Sequence, residues 1–210
     1  AGFVAESVSL EHVPFGMMLG DDGKPLSTSE GGTVKLVDLL DEATTRAGNL
    51  VADKNPDLSD EARAEISRVV GIGALKYADL SQNRTSDYVF AWDKMISLDG
   101  NTAPYMQYAY ARIRSIFRKA AAEGDTATGA ISLGEPQERA LAAKLLQFAE
   151  VVDSVARSAM PSILCGYLFE LAGAYMSFYE SCPVLKEEVT PETRASRLAL
   201  CELVARTIQT

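Results

Sequence analysis

The sequence predicts a mainly α-helical fold, and three observations carry that prediction. From about residue 103 apolar positions recur at helical spacing almost to the end of the chain. Pro136, Pro161 and Pro191 stand where such segments open, and a proline at the first helical position removes no bond the helix would otherwise make. Strand-like character is confined mainly to the first thirty residues, where VSLEHVPFGMML is rich in β-branched and long apolar side chains.

The elements follow in order. GDDGK, at 20–24, is a tight-turn signal of Asp and Gly, and PLSTSEGG is small and polar, a loop. Thr33 is a candidate N-cap for the stripe Val34, Leu36, Val37, Leu40 and Ala43. NPDLSDEA breaks that helix: Pro56 disfavours helix at Asn55, and Ser59 can cap a new one with Asp60 and Glu61 in its first turn. The second helix is expected to run towards GIG at 71–73 and to resume in LKYADL. SQNRTSDYVF reads as an irregular or extended crossing. Gly124 to Gly134 reads as a loop, and helices are expected from about 103, from 136 to 158, from Pro161 through FYES, and from Pro191 onward, with CPVL a break.

A lone β segment at the start cannot bury itself and belongs to a larger sheet. The last helix stops without a Gly or Asn cap signal. The expectation is that the chain is a piece of a longer protein.

Composition narrows the class. Apolar residues make up 47% of 210, ordinary for a soluble domain with an ample core. No run approaches the roughly 18–20 apolar residues of a membrane span. AGFVAESVSLEHV lacks the basic start and apolar core of a secretory signal. Cys165, Cys182 and Cys201 are odd in number and lack CxxC spacing, which argues against a disulfide framework or zinc knuckle. A reducing, cytoplasmic setting, packed thiols at Cys165 and Cys182, no metal site and a monomer are the expectations.

The net charge of −9 argues against indiscriminate nucleic-acid binding, but it hides an asymmetry. Residues 1–99 hold 9 basic and 17 acidic side chains, whereas residues 100–210 hold 11 and 12. No Asp or Glu lies between Asp99 and Glu123, a stretch that carries Arg112, Arg114, Arg118 and Lys119. On a helix, Met106, Ala109, Tyr110, Ile113, Ile116, Phe117 and Ala120 share an apolar arc that should face the core. Tyr105, Tyr108, Arg112, Ser115 and Lys119 share a second arc of roughly 80°. Aromatic rings stack on unpaired bases and cations meet phosphates, so this face suits a single-stranded RNA loop. The same pattern also fits tyrosines bordering a helix–helix contact, with solvated cations beside them.

At this helix a family resemblance enters. VGIGALKYADLSQNRTSDYVFAWDKMISLDGNTAPYMQYAYARIRSIFRKA resembles arginyl-tRNA synthetases, class I aminoacyl-tRNA synthetases. YLFELAGAYMSFYESCPVL and RLALCELVAR resemble their all-helical DALR-type anticodon-binding domain. The resemblance implies that residues 1–99 are the C-terminal part of a Rossmann-like catalytic domain, a short β segment plus helices. Residues 100–210 would be most of an α-helical anticodon-binding bundle. It implies the joining of arginine to ATP as arginyl-adenylate, transfer to the terminal ribose of the cognate tRNA, and Mg2+ accompanying ATP, with nothing bound to this stretch alone.

The resemblance also directs roles to residues. HVPFGMMLG resembles the strand whose backbone lines the adenine pocket, which implies ATP contacts at His12, Phe15, Gly16 and Met17. GKPLSTSEGG is similar to the mobile KMSKS loop, where cations neutralise the triphosphate. It keeps Lys24, but Ser27 stands where relatives often place a second lysine, and Ser29 where an arginine is frequent. Unaided by the resemblance, His12 reads as a packed strand residue and Lys24 as a solvated turn lysine. The tRNA role is directed to Asn101, Tyr105, Tyr108 and Arg112, with Lys119 on the same face, and further to Tyr167 and Phe178. On that later helix Ile163, Leu164, Leu168, Leu171 and Tyr175 form an apolar stripe, so some of its aromatics must be core.

The HIGH-type motif of class I enzymes is not among these residues, the single histidine being His12 in another context. The expectation is a tRNA-recognition part that is catalytically incompetent alone. The alternative is a helical protein–protein module of synthetase ancestry without RNA binding.

Overall fold

A computed structural model describes residues 4–5, 7–26, 34–122, 124 and 129–210. Among them the element order is β1 (Met18–Leu19), α1 (Leu36–Lys54), α2 (Asp60–Leu80), β2 (Tyr88–Val89), α3 (Trp92–Met95), α4 (Ala103–Ala122), α5 (Pro136–Leu146), α6 (Phe148–Ser158), α7 (Pro161–Ser181) and α8 (Pro191–Gln209). The mainly α expectation holds.

The start of the chain turns where Asp and Gly dictate. Gly23 adopts φ 72°, and the turn closes with Gly20 donating to the Lys24 carbonyl at 2.8 Å. The β segment does not stand alone. β1 pairs in parallel with β2, Met18 opposite Tyr88 and Leu19 opposite Val89, so part of the crossing stretch is its partner strand. Gly16 is required for this approach: a Cβ there would stand 2.1 Å from the Ser86 carbonyl oxygen.

α1 and α2 form an antiparallel pair over a small core of Ala43, Ala74, Leu75, Phe90 and Met95. The candidate cap Thr33 and the loop residues Ser27 and Ser29 lie outside the described residues. α1 opens instead after Lys35, without a side-chain cap. Ser59 caps α2 as its sequence suggests, its hydroxyl accepting from the Ala62 N–H at 3.3 Å. GIG does not interrupt α2. Gly71 is where the two helices touch, since a Cβ would lie 2.5 Å from the Ala43 carbonyl oxygen.

α4, α5, α7 and α8 enclose the main core, in which Ile113, Leu141, Leu171, Tyr175, Phe178 and Leu198 are fully buried. The expected single helix over 136–158 is two, because the chain bends at Gln147. The bend lets α6 lie against α7 while α5 packs on both α7 and α8. A buried ion pair crosses the α5–α8 contact. Arg197 donates from Nε to Glu138 Oε1 at 2.7 Å and from a second nitrogen to the Pro183 carbonyl at 2.7 Å. Glu138 also accepts the Glu135 N–H at 2.9 Å, completing a capping box at the start of α5.

Candidate functional site

α4 sorts its side chains as its periodicity requires. Met106, Ala109, Ile113, Ile116 and Ala120 are buried, and Tyr110 and Phe117 pack against the core from its margin. The opposite arc is real, but its members are not equivalent. Tyr108 is 46% exposed, and Lys119 is exposed. Arg112 is half-buried between two rings. Its guanidinium carbon lies 5.8 Å from the Tyr108 centroid and 4.3 Å from that of Tyr179 on α7. It donates to the Tyr108 hydroxyl at 3.0 Å. Tyr105 is half-buried, edge-on to Phe169 at 5.7 Å, so only part of its ring can meet a ligand.

Beside this pair runs a groove of about 460 Å³ between α4, the end of α7 and the loop that follows. Arg112, Ser115, Lys119, Tyr179 and Lys186 line it, with Glu180 opposing them. The groove is therefore cationic and aromatic in a protein whose total charge is negative. Arg114 turns away, its guanidinium 3.5 Å from Glu202 on α8.

Other expected contacts are placed elsewhere. Asn101 is exposed, but its amide oxygen lies 2.6 Å from the Tyr77 hydroxyl, which also reaches the Cys165 carbonyl at 3.0 Å. That knot joins α2, the loop before α4, and α7. Burial pushes the Tyr77 phenol up, aided by the Cys165 contact, so it stays a neutral donor. Tyr167 and Phe178 are corrected to packing roles. Tyr167 is 4% exposed and donates to the Lys144 carbonyl at 3.0 Å, and Phe178 is fully buried beside Tyr175. A helix covered on several sides hides rings that one apolar stripe does not predict to be core.

At the N-terminal site, His12 and Met17 are exposed, and Phe15 stands 86% exposed. The Gly16 N–H donates to the Arg84 carbonyl at 2.5 Å, and the Met17 N–H to Asp87 Oδ1 at 2.7 Å. The segment is thus an extended edge held from one side, with its side chains free on the other. Lys24 is exposed, its ammonium 3.9 Å from Asp22. Among the described residues no cluster of three or more His, Cys, Asp or Glu could hold a metal ion. Nor, among them, is any helix long and apolar enough to cross a membrane.

The reading of the sequence missed Tyr179, Lys186 and Arg84. Tyr179 shares a stripe with Tyr175 and Phe178, so spacing could not separate a groove wall from core. The triple hydrogen bonding of Arg84 joins segments about seventy residues apart and left no local signal.

Comparison with known proteins divides the chain into two parts. The family described as tRNA synthetases class I (R), catalytic domain, matches residues 1–92, and the DALR anticodon binding domain matches residues 106–210. A catalytic-domain end followed by a helical anticodon-binding bundle defines a class I aminoacyl-tRNA synthetase. Arginine–tRNA ligases of Cellvibrio japonicus and Alteromonas mediterranea are 62% and 58% identical over 99% and 100% of this chain, which covers 36% of each. The arginyl-tRNA synthetase of Thermus thermophilus superposes with a TM-score of 0.79 at 34% identity, over 92% of this chain and 32% of that one. That of Plasmodium falciparum gives 0.71 at 30% identity, over 84% and 31%. The chain belongs to the arginyl-tRNA synthetase family. It spans about a third of the length of the curated relatives it matches.

Proposed function

We propose that the chain is part of an arginine–tRNA ligase and that its chief share in that enzyme is recognition of the anticodon arm of tRNA. The observation that carries this is the Tyr108–Arg112 pair, its exposed ring and half-buried guanidinium beside the groove that Lys119 and Lys186 line. Rings there can stack on unstacked bases while the cations meet the flanking phosphates. Asn101 and the open part of Tyr105 would border the same surface. The domain boundary falls near residues 99–100, which the family matches ending at 92 and beginning at 106 support.

In the reaction proposed for the whole enzyme, the arginine carboxylate attacks the α-phosphorus of ATP, forming a mixed anhydride as pyrophosphate leaves. A hydroxyl of the terminal tRNA ribose then attacks the arginyl carbonyl and AMP departs. Mg2+ would accompany the ATP phosphates as part of the substrate. His12, Phe15, Gly16 and Met17 would supply the adenine-side edge. Lys24 would approach the triphosphate as negative charge develops on the leaving pyrophosphate. Ser27, in the stretch similar to the KMSKS loop, belongs to the same proposal.

The test is a filter-binding titration of the intact ligase with arginine tRNA and a non-cognate tRNA. Tyr108→Ala is expected to weaken cognate binding by about 1–3 kcal/mol, one lost stacking contact. Tyr110→Ala, whose ring packs on the core margin, should leave affinity per folded molecule unchanged. Equal losses, or no tRNA binding at low salt, would overturn the assignment, the latter in favour of a protein-binding module.

A further inference from the structure

Arg112, Lys119 and Lys186 by themselves would make the groove between α4 and the end of α7 attractive to any polyanion, because attraction to phosphate carries no sequence information. Glu180 is the single carboxylate among the described residues that line it. The fold disfavours a negative charge at that place. Glu180 is the last residue but one of α7, where unpaired carbonyls carry the negative end of the helix dipole, and no cation stands in that last turn. The residue is exposed and forms no ion pair among the described residues. Two of the groove's cations are engaged elsewhere, Arg112 with the Tyr108 hydroxyl and the Tyr179 ring, and Lys186 3.8 Å from Glu188. Neither helix stability nor ion pairing accounts for this carboxylate.

Its position does account for it. Glu180 follows Tyr179 on the α7 wall, while Arg112, Ser115 and Lys119 stand on the α4 wall. An ionised phosphate offers acceptors only, so it gains from the cations and is repelled by the carboxylate. An unpaired base carries N–H donors as well as acceptors on its edges. It can offer the donors to Glu180 and the acceptors to the cations.

We infer that Glu180 is a specificity-determining residue whose carboxylate bars bare phosphate from the groove and admits an RNA segment only where a base edge supplies N–H donors. The inference rests on the RNA-binding reading of this groove given above. Selectivity here comes from a repulsive element set among attractive ones: the wrong occupant is refused, and the right one offsets the repulsion with a hydrogen bond to an ionised acceptor.

The test uses the intact ligase in binding titrations at low salt with three probes: arginine tRNA, a non-cognate tRNA, and heparin, a polyanion without bases. Glu180→Gln keeps the size and removes the charge, and at a helix C-terminus it should not lower the melting temperature. It should bind heparin and the non-cognate tRNA about threefold to tenfold more tightly. Arginine tRNA gains less, because it exchanges an ionised acceptor for a neutral one, so its preference over the non-cognate tRNA should fall at least about threefold. Glu180→Asp, which keeps the charge, should bind heparin within about twofold of wild type. Unchanged heparin affinity in Glu180→Gln overturns the inference, as does an equal gain for all three probes. A loss for arginine tRNA without a gain for heparin overturns it too, since the carboxylate would then attract and not exclude. Tyr108→Ala in the same assay separates the two readings. If arginine tRNA binds that variant as tightly as wild type, the RNA reading falls and this inference with it; if its binding weakens while Glu180→Gln moves nothing, only the present inference falls.

Discussion

The guanidinium of Arg112 lies over the ring of Tyr179, 4.3 Å from its centroid, while donating to the Tyr108 hydroxyl on its own helix. The contact links α4 to α7 and fixes the direction of the one cation central to the proposed RNA face. Cation–π contacts at partly exposed sites contribute about 0.5–1 kcal/mol, so the pair orients more than it stabilises. Arg112→Lys keeps the charge but loses the flat stacking group. Affinity for arginine tRNA should fall about threefold to tenfold with its salt dependence unaltered, while Arg112→Ala should lower the affinity and flatten the salt slope by about one unit. Binding titrations at three salt concentrations separate these outcomes.

The Glu138–Arg197 pair should make the bundle acid-sensitive. Burial alone would raise the Glu138 carboxyl, but the Glu135 N–H and the Arg197 guanidinium outweigh it and hold it below its ordinary 4.5. The unfolded chain therefore takes up its proton first as pH falls. The contribution is complete at pH 7, declines below about 4.5, and is gone once the folded carboxyl protonates. Glu138→Gln strands a buried guanidinium and should cost about 3–5 kcal/mol at pH 7, with a smaller difference from wild type near pH 3. Urea titrations of both proteins at the two pH values check this.

Local chemistry was largely legible in the sequence, and long-range closeness was not. Ser59, Pro136, Pro161 and Pro191 mark helix starts because caps and first-turn prolines act within a few residues. The α4 arc was legible because period alone sets it. The break expected at GIG failed because Gly71 answers to Ala43 on another helix, a relation no window along α2 contains. Tyr167 and Phe178 failed likewise, their surroundings being built by α5 and α8. The bend at Gln147 has no Gly or Pro to announce it.

The three thiols should be inert in the folded protein. Cys165, Cys182 and Cys201 are all buried and unpaired. Burial raises each, Cys201 to about 12, so almost no thiolate exists near neutrality. An aromatic disulfide reagent at pH 8 should modify none of them in the time it modifies all three in urea. Rapid native labelling at Cys201 would contradict its place in the core.

Two glycine substitutions should move stability in opposite directions. At Gly71 a Cβ would lie 2.5 Å from the Ala43 oxygen, 2.7 Å from its carbonyl carbon and 2.7 Å from the Thr44 Cα. All three are backbone atoms of α1, so relief requires the helices to separate along their whole contact. Gly71→Ala should therefore destabilise by about 1–3 kcal/mol, despite alanine's better helix propensity. Gly173, inside α7 and exposed, has nothing within 4 Å of such a Cβ. There only the propensity difference remains, and Gly173→Ala should stabilise by about 0.5–1 kcal/mol. Denaturant midpoints at equal slope measure both. A neutral Gly71→Ala would mean that the α1–α2 contact is looser than its geometry requires.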